Sequence, residues 1–137
     1  MTTAIALTLH LLVLIGLYEL AAGLAGLIGR IDWTSMLDEF DRSPALTFVT
    51  GFAAFAIGSA IHLSHHHWTD LPAILVSAIG WIAIIEGLLI MVVPRPLLAF
   101  SRRLVRSQRA ISIAAILFGI ALTLLGLTGR ADPTASI

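Results

Sequence analysis

Residues 71–93 read LPAILVSAIGWIAIIEGLLIMVV, an apolar run in which Glu86 is the one ionisable side chain. A bilayer core about 30 Å thick is crossed by about 20 apolar residues in a helix, so this run is long enough to span. Three further runs match it. Residues 4–28 are interrupted by His10 and Glu19, residues 44–63 carry no charge, and residues 110–128 are clean. Lipid offers the backbone no hydrogen-bonding partner, which makes each run a helix. The punctuation agrees: Ser43 and Pro44 open the second run, Asp70 and Pro72 the third. Pro94 and Pro96 close the third, and Gly129 closes the fourth. The expected fold is all-α: one domain over residues 1–137, with four transmembrane helices in two tandem two-helix hairpins.

Composition points the same way. Of 137 residues, 58% are hydrophobic and 12% charged, with mean hydropathy +1.00, against about 25% charged in soluble domains. Eight arginines balance eight acids, and there is no lysine, so the basic footprint of a nucleic-acid binder is missing. No cysteine is present, which removes disulfides and thiolate chemistry. Residues 1–9 hold no Lys or Arg and the first apolar run far exceeds a signal-peptide core, so the first span reads as a retained helix.

Orientation follows from arginine. Residues 29–43 carry Arg30 and Arg42; residues 94–109 carry Arg95, Arg102, Arg103, Arg106 and Arg109. With four crossings both segments share a side, leaving only Arg130 opposite. The positive-inside rule places them in the cytoplasm and both termini outside, in a bacterial-type inner membrane. Both segments are amphipathic. Trp33, Met36, Leu37 and Phe40 fall at helical spacing behind an Asp32 cap, while Leu97, Phe100 and Leu104 oppose Arg102, Arg103 and Arg106. Short helices of this kind lie in the headgroup layer.

The halves, residues 4–66 and 70–128, resemble one another. Each has a span containing an acid, Glu19 or Glu86, then an amphipathic loop. The span that follows carries small residues at one spacing: Gly51, Ala54 and Gly58 in the first half, Ser112, Ala115 and Gly119 in the second. Repeats of two spans keep one orientation, so the expected relation is rotation about the membrane normal. The small residues, with Gly16, Gly23 and Gly26 on the first span, predict faces where helices approach closely.

Two constellations could carry chemistry. Glu19 and Glu86 lie about 12–15 Å from the arginine-rich ends of their spans, counting 1.5 Å per residue. An ionised carboxylate at that depth costs at least about 2.5 kcal/mol, so it must be protonated, paired or facing water. Paired across the axis, the two would share a proton; alternatively Glu86 bonds across helices, with Arg109 its nearest cation. The second constellation is His62, His65, His66 and His67 at the other end, with His10 about two turns into the first span. Such a group could cap the interface, bind a divalent metal, or, through His10 and His62, hold a haem. No hydrolase triad, phosphate loop or metalloprotease motif is present, and the expectation is a non-enzyme.

Ile85-Glu86-Gly87-Leu88, then Pro94 with a basic amphipathic loop, then Arg109 opening a glycine-bearing span, resembles the YjeT-like small inner-membrane proteins. The resemblance covers residues 71–127 and implies a two-span hairpin unit. The first half departs from it: Leu20 stands for Gly87, Phe48 for Arg109, and no proline enters the loop. Three functions remain open. One is an accessory or scaffold protein, packed as a homo-oligomer or in a larger membrane complex and needing no cofactor. The others are a small oligomeric proton or cation transporter using Glu19 and Glu86, and an outer-face metal or haem binder.

Overall fold

The computed structural model describes residues 2–65, 68 and 70–129, residues 2–4 as backbone only. It is all-helical. Four long helices, α1 (Thr2–Leu27), α3 (Pro44–Ser64), α4 (Leu71–Val92) and α6 (Gln108–Thr128), are each long and apolar enough to cross a membrane. Two short ones, α2 (Trp33–Arg42) and α5 (Pro94–Val105), lie between them at one end. The caps are those the sequence marks. Ser43 Oγ accepts from Leu46 N at 3.2 Å, Asp70 Oδ1 from Ala73 N at 2.8 Å, and Asp32 Oδ1 from Thr34 N at 3.0 Å. Beyond α1, Gly29 takes φ +73°, a left-handed turn that glycine adopts without penalty. There the N–H groups of Arg30 and Ile31 both return to Ala25 O.

The tight helix pairs each combine one helix from each half of the chain. α1 packs along α6 and α3 along α4, while a smaller α1–α4 contact joins the pairs. Glycine sets how close they come. A Cβ on Gly119 would lie 2.7 Å from Gly16 O and 2.8 Å from Leu20 N; one on Gly58 would lie 2.7 Å from Gly80 O and 2.6 Å from Ile84 N. The same contact thus recurs with α1 positions shifted by 64 residues and α3 positions by 61. Gly23 against Ser112 O and Ile116 N is matched, at the same shifts, by Gly87 against Gly51 O and Phe55 N. The apolar core obeys the same relation: it consists of Leu12 and Val76, Ile61 and Leu122, flanked by Leu11 and Leu75, Ile15 and Ile79.

This packing register differs from the one that matches acid to acid. Between α3 and α6 the shift of 61 matches Gly51 with Ser112, Ala54 with Ala115 and Gly58 with Gly119. Between α1 and α4 the shift is 64, so Glu19 corresponds to Ala83 and Glu86 to Ala22. The two glutamates are three residues out of register, most of a helical turn. Backbone proximity at the glycines is the stronger constraint, because a methyl group there has nowhere to go, whereas a carboxylate can sit one turn along.

Overpacking a close contact costs about 1–3 kcal/mol. Gly58→Ala and Gly119→Ala should each lower the melting temperature in detergent by several degrees, and the leucine variants should fail to fold. Ala53→Leu, on an exposed face of α3, should melt like the wild type.

Candidate functional site

At the loop-helix end the chain builds a roofed cavity. α2 is short, and its apolar residues share one face because they fall at i, i+3, i+4 and i+7. That face, Trp33, Met36, Leu37 and Phe40, turns inward to line the cavity. Asp32 fixes where α2 begins. The Ser35 hydroxyl at 2.7 Å and then the Thr34 N–H hold its carboxyl below the usual carboxylate range. A lowered carboxylate stabilises the folded state above the ordinary range, and that stabilisation is lost as pH falls through the lowered value.

Three further contacts pin the roof. Gln108 Nε2 donates to Gly26 O at 2.9 Å and to Ile31 O at 3.0 Å, tying the end of α1 to α6. The Thr47 hydroxyl donates to Phe40 O at 2.7 Å, tying α3 to α2. Arg102 on α5 donates to Asp38 at 2.8 Å and Asp41 at 2.6 Å on α2. This last link is solvent-exposed, and such pairs contribute about 0–1 kcal/mol each; it orients the two short helices more than it stabilises them. α5 presents two apolar edges. Leu98, Ser101 and Val105 face the cavity with Leu97, whereas Phe100 and Leu104, expected on the face of Leu97, stay exposed.

The cavity measures about 300 Å³. α1 contributes Tyr18, α3 contributes Thr47 and Thr50, and α4 supplies the floor with Glu86 and Ile90. A second cavity of about 380 Å³ shares Phe40, Thr47, Ile90, Pro94 and Leu98 with it and carries Asp41 and Arg95. Among the described residues lining the first cavity, Glu86 is the one carboxylate, and no Arg, Lys or His accompanies it. Glu86 is exposed, whereas Glu19 is half-buried on α1 and does not line this cavity.

The other expected site residues are dispersed. Arg109 is exposed in the first turn of α6 and, among the described residues, makes no ion pair with Glu86; the paired arginine is Arg102. At the opposite end His65 is 1% exposed, with Nε2 2.7 Å from Thr8 Oγ1 and Nδ1 3.2 Å from Ser77 Oγ. His62 packs its ring on Trp81, centroids 4.8 Å apart. His10 is exposed on α1 and bonds Ala6 O at 2.5 Å. His66 and His67 lie outside the described residues, and among the described residues no three His, Asp or Glu side chains gather. Gly16, Gly23, Gly51, Gly58, Gly119 and Ser112 face other helices of the same chain. Compared with models of protein families, with curated proteins and with solved structures, the chain matches none.

Sequence reading missed Gln108, whose role depends on carbonyls some eighty residues away. It also missed the Tyr18 and Thr50 walls, which carry no motif. Two outcomes check the site. Dicyclohexylcarbodiimide should label Glu86 faster than Glu19, as read by peptide mass spectrometry. His65→Ala should cost about 0.5–3 kcal/mol of stability by removing a buried ring and its bonds to the Thr8 and Ser77 hydroxyls.

Proposed function

We propose that the chain is a small, non-enzymatic, multi-pass protein of a bacterial-type inner membrane that binds and passes a cation or proton at Glu86. Its arginine-rich loop helices lie on the cytoplasmic side and both termini outside, as the arginine distribution favours. A carboxylate within the membrane has to be protonated, paired or facing water. The observation that carries the reading is that, among the described residues, no cationic side chain lines the cavity with Glu86. That leaves the carboxylate open to a proton or a cation from outside the protein. A carboxylate serving only as interhelical glue would be sealed between helices, whereas this one opens onto a cavity.

The recurring contacts support a duplicated two-span unit. Pro94 at the start of α5 and Arg109 in the first turn of α6 are compatible with the YjeT-like hairpin expected for the second half. A second reading, an accessory subunit of a larger complex or homo-oligomer, is favoured by how little of the chain lies outside its four apolar helices. Its docking surface would then be other than the small-residue faces, which are engaged within the monomer.

Purified protein in liposomes loaded with a pH-sensitive dye tests the first reading. Under an imposed potential, proton or cation flux should exceed that of empty liposomes and fall at least ten-fold in Glu86→Gln, with a smaller change in Glu19→Gln. Flux equal to empty vesicles, or unaltered in Glu86→Gln, removes the transport reading. A stoichiometric partner in native purification would then favour the accessory role.

A further inference from the structure

The chemistry of the cavity narrows what Glu86 would bind, an inference that rests on Glu86 being a cation site. We propose that the cavity takes a small monovalent organic cation with an apolar body, an alkyl- or arylammonium. Charge comes first: the wall carries one carboxylate and, among the described lining residues, no Arg, Lys or His to compensate it. A single positive charge is the complement.

The rest of the wall disfavours a bare metal ion. Hard divalent cations take six or more oxygen ligands, usually from several carboxylates. Here Glu86 is accompanied by four hydroxyl-bearing residues, Tyr18, Thr47, Thr50 and Ser101, and, among the described lining residues, by no second carboxylate. What the wall offers in quantity is apolar and aromatic surface. Trp33, Tyr18 and Phe40 come from two different helices onto the same cavity. Ammonium groups are drawn to the faces of such rings.

Size agrees. About 300 Å³ is at the lower end of the range for small-molecule pockets, roughly 300–1,000 Å³, and far more than a desolvated inorganic ion fills. Leu37, Leu97, Leu98 and Ile90 would surround the apolar body. A neutral molecule of the same shape would gain that contact but leave Glu86 without a counter-charge.

Equilibrium dialysis of the full chain in a non-ionic detergent provides the test, with radiolabelled benzyltrimethylammonium as probe and neopentylbenzene as its uncharged counterpart. The expected result is saturable binding of one benzyltrimethylammonium per chain. It should weaken at least ten-fold in Glu86→Gln and several-fold in Trp33→Leu, and be largely kept in Glu86→Asp. Size-exclusion profiles matching the wild type show which variants remain folded, and Glu86→Asp serves as the folded reference if Glu86→Gln does not. Neopentylbenzene should bind more weakly and equally to wild type and Glu86→Gln. Equal binding of benzyltrimethylammonium to wild type and Glu86→Gln would overturn the proposal. So would absence of binding while liposome flux still depends on Glu86, a result that leaves the cation site and removes the organic ligand. Loss of both signals would remove both readings.

Discussion

Everything in this bundle depends on how closely backbones approach at glycine. Gly119 lies against Gly16 O and Leu20 N, and Gly58 against Gly80 O and Ile84 N, at distances that admit no side chain between the helices. In lipid there is little hydrophobic gain from bringing two apolar helices together, so dispersion contact and backbone proximity have to hold them. That makes the glycine positions the register marks of the fold. The buried apolar set is small, Leu12, Val76, Ile61 and Leu122, and it sits where these marks place it. Most other large apolar side chains face outward, as befits a molecule whose solvent is hydrocarbon.

The same constraint explains which parts of the fold could be read in advance. Apolar length determined the four spans and proline and serine determined their starts, because these are local properties of the chain. Pro44, Asp70 and Gly129 ended up at the helix boundaries they mark. Small-residue spacing also identified the packing faces of α3 and α6. What spacing could not give was the partner of each face. α1 pairs with α6 and α4 with α3, and a glycine stripe on one helix looks the same whichever neighbour fills it. Matching Glu19 to Glu86 was misleading for a related reason. A conspicuous side chain draws the alignment, but the contact that fixes register is made by residues with no side chain at all.

At the loop-helix end, the sequence marked Glu86 but not its surroundings. The inward face of α2 was legible from the spacing of Trp33, Met36, Leu37 and Phe40, since an amphipathic helix of ten residues has only one apolar face. Its destination was not, because headgroup layer and protein cavity are equally suitable for that face. Arg102 rather than Arg109 became the paired cation for a geometric reason: α5 and α2 lie side by side at the end of the bundle, whereas Arg109 points outward from α6.

The cavity exists because the recurring packing is imperfect at this end. Carried across by the shifts of 64 and 61 residues, Thr47 corresponds to Gln108, Ile90 to Gly26 and Glu86 to Ala22. Ala22 brings no acid, and the space around Gly26 is occupied. Gln108 reaches Gly26 O and Ile31 O, while Trp33 Nε1 and Ser112 Oγ press on the site of the missing Gly26 side chain. The difference originates in chain connection. α5 follows α4 after Val93 alone, whereas α2 follows α1 only after the turn at Gly29. That slack lets α2 swing its tryptophan over the end of α1 and close one side of the bundle, and it leaves α5 as the wall of the other. Glu86 therefore lines the open side, whereas its counterpart Ala22 carries no acid. Glu86 and the cavity it lines are two consequences of the same asymmetry.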